Sequence, residues 1–184
     1  MRVEPATPAD LPAVRAAYAD ARAFQQEQGA ILWPEFTDAS ILLETEAGRL
    51  FRVMDGETVA GVFSLAFEDA SIWGDLERGE HLYLHRIARA SAYRGRGLLG
   101  AVLAWARAHC RALGRAGLRM DTWASNEALV AFYERQGFRL VGRRRIEQGS
   151  PLPTYYHGNE FTLLEEPLMH ARPEAALTER SGPA

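Results

Sequence analysis

The sequence predicts a single α/β domain with a mixed central sheet flanked by helices. The 184 residues are one domain's worth, and 47% of them are hydrophobic, enough to bury a core without disulfide staples. Hydrophobic periodicity divides the chain into segments in the order β-α-α-β-β-β-α-β-α-β-β, with no internal repeat and no linker. Strands and helices that alternate in this way predict a mixed sheet with helices on both faces.

The first quarter of the chain reads as a strand followed by two helices. Residues 3–5 form a short strand, and Thr7-Pro8-Ala9-Asp10 supplies the cap, the first-turn proline and the capping-box acid of a helix. Apolar residues at helical spacing carry this helix towards Gly29. An aromatic-rich loop at residues 31–36 then leads to a second helix over residues 38–48.

The middle of the chain predicts three strands. Residues 50–54 and 58–67 are joined by Asp55-Gly56, a pair typical of two-residue hairpin turns. Residues 69–79 read as a loop, and residues 81–89 as the next strand.

The last part of the chain alternates between helix and strand. A long helix follows Gly97 and ends near Leu113, where glycines follow it. A strand, a helix and two more strands come next, at residues 118–123, 126–136, 138–146 and 155–164. The remainder is rich in Pro, Ala and Glu, so we expect a domain over residues 1–164 and a flexible tail over residues 165–184.

Composition excludes several classes of protein. The net charge of −3 disfavours nucleic acid as the main partner, and no apolar run approaches the ~18 residues of a membrane span. The first residues lack the apolar core of a signal peptide. The one cysteine, Cys110, allows neither an intramolecular disulfide nor a Cys-based zinc site. We therefore expect a cytoplasmic protein without a membrane or nucleic-acid partner.

A glycine-rich turn is the most informative motif. The segment Arg94-Gly95-Arg96-Gly97-Leu98-Leu99-Gly100 follows a predicted strand and opens directly into a helix. Free N–H groups and the dipole at a helix N-terminus favour anions, and the two arginines add positive charge. The turn therefore predicts a phosphate or pyrophosphate site. A tight strand-to-helix turn without a ligand is the alternative.

This turn resembles the acetyl-CoA-binding signature of the GNAT superfamily of N-acetyltransferases, Gln/Arg-x-x-Gly-x-Gly/Ala at the start of a helix. Residues 94–99 occupy the signature, with Leu99 where Gly or Ala is usual and Gly100 one place later. A downstream segment also resembles the family, at Asn126, Phe132-Tyr133 and Gly137-Phe138. The resemblance implies the acyl-CoA N-acyltransferase fold over nearly the whole chain and acetyl-CoA as co-substrate, without a metal.

The resemblance also implies roles for single residues. Main-chain groups of Ile87, Ala88 and Arg89 would bind the pantetheine arm in the manner of an added strand. Asn126 would cap its helix and bond the cofactor's amide arm. Tyr133 resembles the family tyrosine that protonates the departing thiolate, and a core aromatic is the alternative.

The general base and the acceptor pocket follow from weaker signals. His85 is the candidate base, because imidazole titrates near neutrality and Tyr83 stands where many family members carry a glutamate. A structural histidine is the alternative, as is ordered water in place of a base. Four aromatic residues are either walls of the acceptor pocket or parts of the core: Trp33, Phe36, Trp73 and Tyr83.

The expected reaction is direct transfer of acetyl from acetyl-CoA to a primary amine in a ternary complex, with a small molecule as acceptor. One alternative acceptor is a protein N-terminus or lysine. The other alternative is a non-catalytic acyl-CoA sensor, for which the departures at Leu99 and Tyr83 leave room. A homodimer follows from the resemblance alone.

Overall fold

The computed structural model describes residues 1–168. Its strands are β1 (Arg2–Pro5), β2 (Leu50–Asp55), β3 (Thr58–Ala66), β4 (His81–Arg89), β5 (Gly117–Trp123), β6 (Arg139–Arg145) and β7 (Glu160–Pro167). Its helices are α1 (Leu11–Glu27), α2 (Asp38–Glu46), α3 (Ala70–Trp73), α4 (Leu98–Ala112) and α5 (Glu127–Arg135). All elements predicted from the sequence are present, with differences at their ends.

The seven strands form one mixed sheet in the order β1-β2-β3-β4-β5-β7-β6. β1 to β4 are successive antiparallel neighbours, and β5, β7 and β6 pair in the same way. β4 and β5 are parallel, because α4 crosses between them. The predicted α/β class and mixed sheet are confirmed.

Two predicted boundaries need correction. The segment 69–79 is not only a loop: Asp69 caps α3 by accepting a hydrogen bond from Ile72 N at 3.3 Å. The last strand starts at Glu160, after a short 3-10 turn, and continues to Pro167 because residues 165–167 pair with β5. The first residues of the predicted tail therefore belong to the sheet, and residues 169–184 lie outside the described part of the chain.

Hydrophobic clusters cover both faces of the sheet. One face packs under α4, which buries Leu98, Val102, Leu103, Ala106 and Cys110. Leu113, near which the helix was predicted to end, follows α4 as its C-cap residue and is 46% exposed. The other face carries α1 and α2 over β2 and β3, and a separate aromatic cluster around Trp73, Tyr83 and Trp123. Within residues 1–168, no helix is both long and apolar enough to cross a membrane.

The parallel pair of strands opens into a cleft. β4 pairs with β5 only over three residues, and the last partners are Tyr83 and Arg119. Beyond that point the described β4 residues pair with β3 alone. Arg86 has a φ of 50°, and the β3–β4 register shifts beside it, which marks a bulge in β4. The bulge and the early end of pairing separate the two strands.

Candidate active site

Two polar side chains face each other where β4 and β5 separate. His85 and Asp121 each lie two residues beyond the last paired residues of their strands. Because side chains alternate along a strand, they point to the same face as Tyr83 and Arg119. The ring of His85 stacks against that of Tyr83, with centroids 6.4 Å apart. The opening of the sheet therefore carries an imidazole and a carboxylate.

The imidazole of His85 lies between two carboxylates. Its Nε2 is 3.6 Å from Asp69 Oδ2, and its Nδ1 is 3.7 Å from Asp121 Oδ1. Both distances exceed a normal hydrogen bond. The two aspartate oxygens are buried and have no hydrogen-bond partner within residues 1–168. Asp69, His85 and Asp121 each offer one atom that could bind a cation, and these three atoms lie within 4.8 Å of one another, so a cation fits among them.

Burial shifts the titration of all three groups. Loss of water, and after it the nearby charge of Arg86, lowers the pKa of His85 to about 4. The same loss raises the pKa of Asp69 to about 6 and that of Asp121 to about 7, where the Asp69 charge adds to the effect. The imidazole is therefore neutral at neutral pH, and Asp121 exchanges a proton in that range.

The paired end of the same strands carries a fully compensated charge network. Arg119 binds Glu165 at 2.8 Å, donates to the Tyr83 hydroxyl at 3.0 Å and lies 4.4 Å from the Trp73 ring centroid. His81 Nε2 is 3.4 Å from the same glutamate. Sequence reasoning missed this network, although an arginine within an apolar strand is a signal for a buried ion pair.

The glycine-rich turn leads into α4 as predicted. Gly95 and Gly97 have φ values of +74° and +76°, a conformation that L side chains rarely adopt. The first helical bond runs from Ala101 N to Gly97 O at 3.2 Å, so the N–H groups of residues 98–100 have no partner in the helix. A Cβ on Gly95, Gly97 or Gly100 would meet nothing within 4 Å, which shows that the turn is open to solvent.

Arginines surround this turn without ion pairs that would fix them elsewhere. Arg94 and Arg89 lie over the Phe24 ring at 5.1 and 5.4 Å, and Arg96 lies over Tyr93 at 5.4 Å. Within the described chain, none of the three forms a salt bridge. Their positive charge is therefore available to an anion at the start of α4. Leu98 is buried under the helix, and Leu99 is half-buried against the same core.

The predicted pantetheine strand lies at the open edge of β4. Ala88 and Arg89 pair with Val62 and Gly61 of β3, on the edge away from β5. The other edge of Ile87, Ala88 and Arg89 faces the cleft, since β5 no longer pairs there. Main-chain groups at this edge are free to bind an extended ligand.

Tyr133 and Asn126 lie on the helix that borders the cleft. Asn126 is the N-cap of α5, and its Oδ1 accepts a hydrogen bond from Leu129 N at 3.1 Å. Tyr133 is half-buried against the α4 side of the sheet, with its ring 6.0 Å from that of Phe138. Burial and the charge of Asp121 raise the pKa of Tyr133 to about 12, so the phenol keeps its proton throughout the neutral range.

The four aromatic candidates for the acceptor pocket fall into two places. Trp33 and Phe36 are half-buried between α1 and α2, where both rings pack against Tyr18. Trp73 is 2% exposed, because it ends α3 and does not lie in a loop as predicted, and Tyr83 is fully buried beside it. Trp73 and Tyr83 therefore pack beneath His85 in the core and expose no surface that could line an acceptor pocket.

The comparisons with known proteins agree with this geometry. The sequence matches the acetyltransferase (GNAT) family over residues 13–138, more than half of the chain. The chain belongs to this family. The resemblance carried by the glycine-rich turn is thereby confirmed, and the expected enzyme class, acyl-CoA-dependent N-acetyltransferase, is that of the family. A curated GNAT relative, the uncharacterized N-acetyltransferase YesJ of Bacillus subtilis (strain 168), is 34% identical over 101 residues. The match covers 53% of this chain and about half, 56%, of the relative.

Solved GNAT structures share the fold. An acetyltransferase of the family from Listeria monocytogenes 4b F2365 has a TM-score of 0.70 at 23% identity, over 91% of this chain and 94% of that one. The ribosomal-protein-S18-alanine N-acetyltransferase of Escherichia coli has a TM-score of 0.66 at 19% identity, over 95% and 97%. The yncA protein of Salmonella typhimurium, solved with its cofactor acetyl-CoA, has a TM-score of 0.65 at 19% identity, over 95% and 98%.

Proposed function

We propose that this GNAT protein transfers acetyl from acetyl-CoA to a primary amine by direct attack in a ternary complex, with a small molecule as acceptor. The observation that carries the proposal is the cleft between β4 and β5, with the open glycine-rich turn at one side. Such a cleft offers main-chain groups to an amide-containing arm and N–H groups to a diphosphate.

The cofactor's binding mode follows from these free groups. The diphosphate is expected at the N–H groups of residues 98–100, with Arg94 and Arg96 supplying counter-charge. The pantetheine arm is expected along the open edge of residues 87–89. The amide nitrogen of Asn126 is available to the same arm, because only its oxygen is used by the helix cap.

The chemistry assigns one role to each polar group. The amine nitrogen attacks the thioester carbon, and a main-chain N–H near Ile87 stabilises the oxyanion. His85 takes a proton from the amine, since its imidazole is neutral and lies in the opening of the sheet. Tyr133 protonates the departing thiolate, because its phenol is protonated at every relevant pH.

The cofactor site is tested by isothermal titration of acetyl-CoA into the wild type, Gly97→Glu and Gly97→Ala. Both variants strain a residue at a φ of +76°, but only glutamate adds negative charge beside the diphosphate. We expect binding by the wild type, weaker binding by the alanine variant and none by the glutamate variant. A folded wild type that does not bind acetyl-CoA would contradict the proposal.

The reaction is tested by following CoA release with a panel that contains phenethylamine, spermidine, alanine amide and a short peptide. Turnover of free amines supports the proposed small acceptor. Turnover of the peptide alone would select the protein N-terminal alternative, and binding without any turnover would select the sensor. In the same assay, Tyr133→Phe is expected to lower kcat about 100-fold. Full activity of this variant at all pH values would refute the acid role.

We also propose a cytoplasmic location and a homodimer. Cys110 is buried and free, which fits a compartment where thiols stay reduced. Light scattering after size exclusion measures the oligomeric state directly, and a mass of one chain would refute the dimer.

A further inference from the structure

Arginine neutralises most of the poorly exposed carboxylates in the described chain. The pairs share distances of 3.0 Å or less and are Asp10–Arg52, Glu44–Arg49, Glu165–Arg119 and Glu166–Arg107. Asp69 and Asp121 are different. Within residues 1–168, the only basic side chain within ion-pair distance of either carboxylate is His85, whose imidazole is neutral. All 21 basic residues of the chain are arginine, and none of those within residues 1–168 gives these two carboxylates a permanent counter-ion.

The unpaired oxygens are the ones that face the cleft. Asp69 uses Oδ1 to cap α3, while its buried Oδ2 points to His85 without a hydrogen bond. Asp121 likewise leaves Oδ1 buried and unbonded beside the other ring nitrogen. A buried carboxylate oxygen without a partner is costly, so a hydrogen bond from a positively charged donor would stabilise each of the two oxygens.

The arginine whose charge reaches His85 has its own partners and forms no ion pair with the two aspartates. Arg86 binds Glu44 at 3.3 Å and lies over the Phe36 ring at 5.2 Å. Tyr83 stacks beneath the imidazole. The other titratable groups coupled to the cluster through charge are Glu44, Glu77, Tyr133, Tyr155 and Tyr156. None of these groups supplies a positive charge.

We propose that the acceptor enters the cleft as an ammonium cation, that Asp69 and Asp121 bind its charge, and that His85 receives its proton. The proposal rests on the proposed acetyl transfer and specifies its substrate class. Carboxylates that accept charge-assisted hydrogen bonds from an ammonium group have the strong form of this interaction. The protonated form, which is the main form of an aliphatic amine at neutral pH, is then also the form that binds.

The protons and electrons balance along this route. The ammonium nitrogen gives one proton to His85, and the neighbouring carboxylates stabilise the imidazolium. The freed lone pair forms the N–C bond, and the C–S bond then breaks. Tyr133 protonates the sulfur and regains a proton from the nitrogen as the amide forms. The proton on His85 leaves to solvent, so each turnover releases one proton.

The cluster also couples to the acid. The negative charge of Asp121 contributes to the raised pKa of Tyr133. A positive charge arriving beside Asp121 weakens that contribution, so the phenol becomes a better donor once the acceptor is in place. The base side and the acid side of the reaction are thereby linked through one carboxylate.

The first test compares Asp69→Asn, Asp121→Asn and the matched control Asp55→Asn. Residue 55 lies in the exposed hairpin between β2 and β3, where Asn-Gly also forms the turn. With the panel amine that turns over fastest, we expect kcat/KM for the amine to fall about 100-fold in each cleft variant, mainly through KM. The control should match the wild type, and all three should bind acetyl-CoA within about twofold of it. Unchanged amine kinetics in both cleft variants would overturn the proposal.

The second test asks which form of the amine binds. The N,N-dimethyl analogue of that amine keeps one N–H in its ammonium form but cannot form a stable amide, so it should inhibit the wild type competitively and lose this effect in Asp121→Asn, whereas the hydroxyl analogue should not inhibit. For an amine of high pKa, kcat/KM should stay flat between pH 7.5 and 9 and not rise with the neutral amine fraction.

Inhibition by the hydroxyl analogue alone would overturn the proposal. So would activity that is lost in EDTA and restored by a divalent metal, which would assign the cluster to a metal ion. A wild type that turns over no amine refutes the proposed function itself.

Discussion

The two ends of the β4–β5 pair treat charge in opposite ways. At the paired end, Arg119 binds Glu165 at 2.8 Å and donates a hydrogen bond to the Tyr83 hydroxyl at 3.0 Å. Two residues further along each strand, His85 and Asp121 stand 3.7 Å apart with no arginine at ion-pair distance in the described chain. Along the same pair of strands, the buried charges are therefore paired where the strands are hydrogen-bonded and unpaired where the sheet opens.

The difference separates groups that stabilise the fold from groups that we propose bind a ligand. A buried ion pair with good geometry is expensive to break, because the remaining charge is left in a poor solvent. A buried carboxylate without a partner is already in that condition, and either a proton or a cationic ligand relieves it. Substitutions at the two ends should thus have opposite effects on stability.

Arg119→Met should have the largest effect on stability. It keeps the aliphatic stem but leaves Glu165 buried, with its remaining partners His81 and Arg139. We expect the free energy of unfolding to fall by about 3 kcal/mol, measured by urea denaturation. The control is Arg143→Met, which removes an exposed pair and should cost about 0.5 kcal/mol or less. Equal losses of unfolding free energy in the two variants would show that the buried Arg119–Glu165 pair is no more costly to break than an exposed pair.

Gly61→Ala should have the next largest effect. An added Cβ would lie 2.5 Å from the Ala88 carbonyl oxygen and 2.5 Å from Leu98 Cδ1. Because the Ala88 carbonyl oxygen belongs to the backbone, the edge of β4 that pairs with β3 must shift, at a cost of about 2 kcal/mol. The shift also moves the cleft edge, so acetyl-CoA affinity should fall. Gly100→Ala is the control, since its Cβ meets nothing within 4 Å. A Gly61→Ala protein with wild-type stability would contradict the close contact.

Asn126 combines both kinds of group in one side chain, and its variants should have the smallest effect. Its oxygen is used by the α5 cap, whereas its nitrogen makes no hydrogen bond to residues 1–168. Asn126→Ala should lose about 1 kcal/mol of stability. Asn126→Asp should keep the cap and the stability but bind acetyl-CoA more weakly by calorimetry. Wild-type affinity in the aspartate variant would restrict Asn126 to the cap.

Local signals in the sequence were sufficient for the fold and for the conformation of the glycine-rich turn. Periodicity located the strands and helices, and the turn at residues 94–100 lies at the start of α4 as predicted. Glycine is required at position 97 by a φ of +76°, which is a local property that sequence alone expresses. These features depend on neighbours in the chain, so they are readable without the tertiary structure.

The acceptor side depends on contacts between distant segments, which sequence reasoning missed. His85 was a candidate, but Asp69 and Asp121 were not, because they come together only when α3 packs over the opening of the sheet. One signal was available for Asp121, a carboxylate within an otherwise buried strand. The burial of Trp73 likewise follows from α3, which was hidden inside a predicted loop.

The most direct test of the account is urea unfolding of the wild type and Asp121→Asn at pH 8. The pKa of Asp121 is raised from 3.8 to about 7 in the folded protein, so rising pH lowers stability between these values and the full penalty applies above them. The asparagine variant avoids that penalty. We predict that it is more stable than the wild type at pH 8, with the gap closing towards pH 4. A variant less stable than the wild type at pH 8 would show that the charge of Asp121 is already compensated, and would contradict the account.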